Sequence, residues 1–122
     1  MVCVLVPLGP ACVDITGIRA GDQNLIVMSF TSGGAPIDLT GAVVEAQARA
    51  TPFATEMIEA VIEITDPVGG HVNVRWPGDQ VMTMLAGKPV WNGVWDLQVT
   101  QGSDDPQTLA AGSFSAVMDV TR

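Results

Sequence analysis

Apolar and polar residues alternate with the strand period of two through most of this chain. Over residues 24–31, Ile26, Met28 and Phe30 share one face and Leu25, Val27 and Ser29 the other. Over residues 42–49, Val44, Ala46 and Ala48 form a core-facing set, with Val43, Glu45, Gln47 and Arg49 opposite. Those charged and amide positions suit a half-buried antiparallel strand, not a parallel strand covered on both faces. Residues 57–65 have a helix-like composition. However, Ile58, Ala60, Ile62 and Ile64 alternate with Glu59, Val61 and Glu63, which predicts a strand. The return strand, residues 71–76, points Val72, Val74 and Trp76 inward. Residues 91–100 set Trp95, Leu97 and Val99 against Asp96, Gln98 and Thr100. A last strand over residues 108–121 carries Phe114, Ala116, Met118 and Val120 on one side, with Gly112 as a candidate bulge. Residues 13–19 extend in the same manner, and residues 2–6 form a continuous apolar run broken by Pro7, Gly9 and Pro10.

The punctuation agrees with this pattern. Residues 20–23, 31–35, 66–70 and 101–107 are turn clusters rich in Gly, Pro, Asp and Ser. Residues 36–41, Pro-Ile-Asp-Leu-Thr-Gly, make a corner between strands. Pro36 fixes φ, Gly41 permits a sharp bend, and Asp38 and Thr40 can bond neighbouring backbone groups. One helical turn is predicted over residues 79–85, with Asp79 as its cap, Val81, Met82 and Leu85 at helical spacing, and Gly87-Lys88-Pro89 as its stop. The sum is about seven strands with turn signals every eight to twelve residues, the pattern of a β-sandwich. The domain is expected over residues 13–122, preceded by residues 1–12 as an extended arm or a first strand.

Composition narrows the function. The chain has 122 residues, enough for one domain with a real core. Charged residues make up 15%, against about a quarter in ordinary soluble chains, so part of the exterior is expected to be covered in an assembly. A net charge of −8 with five cationic residues excludes a basic face for nucleic acid or anionic lipid. No apolar run approaches the length of a membrane span, and residues 2–7 lack the basic flank of a signal peptide. A soluble chain that folds in a cytoplasm is expected. Cys3 and Cys12 are read as small buried thiols in preference to a disulfide.

The corner at residues 36–41, followed by a strand ending in Gln47-Ala48-Arg49, resembles the N-terminal β-sandwich domains of siphophage baseplate and tail proteins. The likeness continues through Thr65-Asp66 and Gly70, through Trp95-Asp96-Leu97-Gln98-Val99, and through the Gly112 strand closing on Asp119-Val120-Thr121-Arg122. Order and spacing hold from about Ile18 to Arg122. The resemblance implies an all-β, immunoglobulin-like antiparallel sandwich that serves as a non-enzymatic virion building block in the tail, baseplate or neck. It implies multiple identical copies, other virion structural proteins as partners, and assembly in the host cytoplasm. A capsid decoration protein is the nearest alternative. Many relatives continue beyond the point where this chain reaches Thr121-Arg122, which weakens a receptor-binding role. The apolar arm has no counterpart in the family and is expected to hold neighbours, so Val2, Val4 and Val6 are the candidate subunit-interface residues.

His71 has no evident nucleophile partner and suits a strand start after Gly69-Gly70. Asp66 and the pair Asp104-Asp105 lack the alternating acidic spacing of a calcium loop. Glu59 and Glu63 fall on one outer face about 13 Å apart by strand rise, too far for a glycosidase pair. Trp95 reads as core. Trp91, at a strand start beside Pro89 and Asn92, is left as an interface candidate, or as a contact in the alternative of a carbohydrate-binding module at a tail tip. Gly33-Gly34 and Gly69-Gly70 have no helix after them and cradle no phosphate. No catalytic residue, metal or cofactor is expected.

Overall fold

The computed structural model describes residues 11–32, 34–102 and 105–118. Residues 1–10, most of the expected arm, lie outside the described residues, as do the side chain of Cys12 and residues 119–122. In chain order the strands are β1 (Ala11–Cys12), β2 (Ile15–Arg19), β3 (Leu25–Ser29), β4 (Thr31–Ser32), β5 (Ala35–Pro36), β6 (Ala42–Arg49), β7 (Ile58–Glu59), β8 (Val61–Asp66) and β9 (His71–Arg75). Helix α1 (Gly78–Leu85), β10 (Val90–Gln101) and β11 (Gln107–Val117) complete the order. The all-β expectation holds. The seven described strands of five residues or more match the seven main runs read in the sequence.

Two sheets form the sandwich. The larger runs β1-β11-β10-β6-β7, with β2 also on β11, and the smaller runs β3-β9-β8. β10 is the spine of the first sheet. It pairs antiparallel with β11 from Val90↔Val117 to Val99↔Gln107, and with β6 from Val94↔Arg49 to Gln101↔Ala42. In the second sheet β9 is central, between β3 and β8. The inward residues of both sheets are those that the alternation selects. Val44, Ala46, Ala48, Trp95, Leu97, Val99, Phe114 and Ala116 are buried from one side, and Val72, Val74 and Trp76 from the other. α1 places Val81 and Leu85, one turn apart, fully inside and packs on β2, β7, β10 and β11.

Four details depart from the sequence reading. First, the sandwich is not purely antiparallel: β1 and β2 run parallel to β11. The linking residues hold this register, since Val13 N–H donates to the Ala111 carbonyl and Asp14 Oδ1 accepts the Ser113 N–H.

Second, the expected strand over residues 57–65 is two strands. β7 pairs with β6 of the large sheet and β8 with β9 of the small one. The change falls at Ala60, whose N–H still donates to Ala46 of the large sheet. The inward set Ile58, Ala60, Ile62 and Ile64 keeps its phase, so the period is the same although the partner changes.

Third, Asp79 does not cap α1. Pro77 is the N-cap residue, without a side-chain cap bond, and Asp79 sits within the first turn, where a negative charge complements the helix dipole. Pro77 suits the start because its fixed φ needs no donor there. Fourth, Gly112 is not a bulge. The extra residue in β11 is Leu109, between the pairs Leu97↔Ala110 and Gln98↔Thr108. Gly112 pairs regularly with Trp95, and it is a glycine because a Cβ there would overlap the Val13 carbonyl oxygen.

Gly112→Ala is therefore expected to push the N-terminal strand off β11 and to destabilise the fold by about 1–3 kcal/mol, the range for an over-packed interior. Urea unfolding of the two proteins measures the difference, and an unchanged midpoint would contradict this account of Gly112.

Candidate functional site

The corner at residues 36–41 is built as its residues require. Asp38 Oδ1 accepts the Thr40 N–H at 2.9 Å and the Thr40 hydroxyl at 2.6 Å, closing an Asx turn. Those bonds, the hydroxyl first, hold the Asp38 carboxyl below the ordinary carboxylate range. Leu39 is fully buried and Gly41 takes a φ of 74°. Leu39 N–H donates to Pro67 of the β8–β9 turn, and the Asp38 carbonyl accepts from Gln101 Nε2 at 2.8 Å. The corner thus ties a turn of the small sheet to the end of β10 in the large one. It is a joint between the sheets.

His71 and Asp66 have structural partners. His71 opens β9, exposed, with Nδ1 2.7 Å from Ser29 Oγ. Asp66 Oδ1 accepts the Gly69 N–H within its turn. Asp14 is held below the ordinary range chiefly by the Ser113 N–H, then by the Ser113 hydroxyl. Glu59 and Glu63 are both exposed but lie on different sheets, β7 and β8. Among the described residues, no three His, Cys, Asp or Glu side chains are placed to hold a metal ion, and no helix is long and apolar enough to cross a membrane.

Val2, Val4 and Val6 lie outside the described residues. Trp91 is half-buried near the start of β10, its ring edge-on to Phe114 at 5.9 Å between centroids. Trp95, as expected, is core, 2% exposed, and its Nε1 donates to the Val13 carbonyl at 2.8 Å.

Two surfaces emerge that the alternation alone did not identify. One is an open trough of about 440 Å³ on the outer face of the large sheet, lined by Gln47, Arg49, Asp96, Gln98, Thr108 and Val94 among others. Arg49 is committed there. Its guanidinium donates to the Ala54 carbonyl at 2.9 Å and to Gln47 Oε1 at 2.8 Å, which fastens the loop after β6.

The second surface is strand β3. It pairs only with β9, so one of its sides is an open sheet edge among the described residues. Its outward side chains Leu25 and Val27 are 52% and 68% exposed. The sequence held a signal for it. A strand whose second face is Leu-Val-Ser lacks the charges that a solvated face carries.

These features define a class: a two-sheeted β-sandwich in which Asp38 and Asp66 brace turns and Asp14 braces a strand junction. No protein-family model matches the chain, and no curated protein matches it. Among solved structures, it is similar to the N-terminal domain of phage TP901-1 ORF48, at a TM-score of 0.49 and 13% identity, covering 93% of this chain and 92% of that one.

The lowered Asp38 sets a pH dependence for the corner. A carboxylate depressed on folding contributes stability above its unfolded pKa and loses it as the pH falls through the folded value. Asp38→Ala should therefore be less stable than the parent at neutral pH. The gap should close progressively on acidification below the ordinary carboxylate range. Urea midpoints of both proteins across that range check it; a gap independent of pH would contradict the Asx-turn origin.

Proposed function

We propose that this protein is a non-enzymatic structural component of a tailed-phage virion, built in multiple copies into the tail, baseplate or neck. The observation that carries this reading is where the residues behind the sequence resemblance fall in the fold. The corner at residues 36–41 joins the sheets, the Thr65-Asp66 to Gly70 segment is the turn it binds, Trp95 to Val99 lie in the spine strand, and Gly112 seats the N-terminal strand. The motif set thus describes a scaffold and not a reactive centre. Its titratable side chains support the same reading, since Asp14, Asp38 and Asp66 all hold backbone N–H groups.

In this reading the partners are identical copies and other virion structural proteins. Low surface charge and an open apolar edge strand favour permanent association. The arm, with Val2, Val4 and Val6, reaches a neighbouring copy, and Trp91 lies at or near a subunit contact.

Antibody-gold labelling of intact purified particles tests the location. Gold at the tail tip or neck is the expected result. Gold over the head would make the chain a decoration protein, and its absence from permeabilised particles would refute a virion role. A chain lacking residues 1–10 is expected to remain folded by circular dichroism yet fail to enter particles. Incorporation equal to that of the full chain would remove the arm from the assembly.

A further inference from the structure

We infer that the open edge of β3 is a seam between two copies of this chain, joined antiparallel about a two-fold axis at Val27. The inference deepens the functional reading and rests on one part of it, that identical copies associate.

Backbone parity sets the geometry. Trp76 N–H donates to Asn24 and Phe30 N–H to Gly70, at the two ends of the β3–β9 ladder. With the one-to-one register between them, the even positions 24, 26, 28 and 30 bond toward β9. The N–H and C=O groups of Leu25, Val27 and Ser29 consequently point out of the sheet edge, three donors and three acceptors in a row. An exposed row of this kind is a template for another strand, and proteins that avoid such pairing place Lys, Pro or a bulge on the edge. β3 has none of these. Its sequence is Leu-Ile-Val-Met-Ser.

The second copy is the occupant because the strand complements itself. Set antiparallel with Val27 opposite Val27, each Leu25 faces the Ser29 of the other copy, and all three outward positions become hydrogen-bonded pairs. The two small sheets then join into a continuous one. Leu25 and Val27 of both copies form one apolar strip across the join, each flanked by side chains of the other copy.

Charge favours this edge over those of β8, β7 and β6. At −8, two copies repel unless they meet where acids are absent. β8 carries Glu63 and Asp66, β7 carries Glu59 and β6 carries Glu45. β3 carries no charge, and its neighbour β9 holds His71 and Arg75. Across the seam Arg75 of one copy and His71 of the other are three strand spacings apart, about 14 Å, beyond the screening length at physiological salt. The acids of β8 are farther still.

The test is disulfide trapping in the full-length chain with Cys3 and Cys12 replaced by Ser. Val27→Cys places two sulfurs on a pair whose Cα atoms stand about 5.5 Å apart, within the range a disulfide spans. It should oxidise rapidly to a covalent dimer. Leu25→Cys, with its own counterpart roughly 13 Å away along the strand, should not. Mixing Leu25→Cys with Ser29→Cys should restore the cross-link. Sedimentation of Val27→Lys, an exposed change that leaves the fold intact by circular dichroism, should show loss of the dimer. Equal trapping at positions 25 and 27, a dimer that survives Val27→Lys, or a parent chain that stays monomeric would each overturn the seam. None of these results bears on where gold labels the particle, so the virion reading and the seam fail separately.

Discussion

Trp76 sits where the two sheets meet, and the rest of the core is arranged about it. Its ring is edge-on to Phe114 at 4.8 Å and to Trp95 at 6.2 Å, so a residue following β9 of the small sheet is gripped by β11 and β10 of the large one. Each such aromatic pair contributes on the order of 1 kcal/mol beyond simple burial. Trp76 Nε1 is buried without a hydrogen-bond partner among the described residues, a cost of roughly 1–3 kcal/mol. Burying an indole removes some 150–250 Å² from water, worth about 4–6 kcal/mol at the usual coefficient. Apolar burial therefore outweighs the orphaned donor. The site keeps its tryptophan for shape and area.

The same cluster explains the N-terminal strand. Trp95 turns its ring inward and spends its Nε1–H on the Val13 carbonyl, while Gly112 lets that carbonyl approach. With Val13 fixed, Asp14 reaches Ser113 and β2 follows β11 in parallel. One side of β11 is thereby covered. Among the described residues the small sheet has no such cover for β3, and this asymmetry leaves an uncharged edge open there.

The switch at Ala60 and the corner at Leu39 close the sandwich at other points. Ala60 is small enough for the chain to leave β6 and join β9 without interrupting the inward row of Ile58, Ile62 and Ile64. Leu39 fills the core while its own N–H, on the same residue, bonds the opposing turn. Single residues at both places serve packing and backbone pairing together. A periodicity argument sees only the packing.

What the sequence by itself determined was the phase of each strand. Val44, Val72, Val74, Trp95, Leu97 and Phe114 face inward because the side-chain period of a strand is two and a one-residue slip would expose them all. The turns were legible for the same local reason, since Asp38, Thr40 and Gly41 act within a few residues of themselves. Partner choice was not legible. Nothing near residue 60 says that the chain changes sheets, and nothing near Gly112 says that Val13 will lie against it. These are contacts between residues far apart in the chain. Tertiary structure alone decided them, and with them which edge, Leu25 to Ser29, has no neighbouring strand among the described residues.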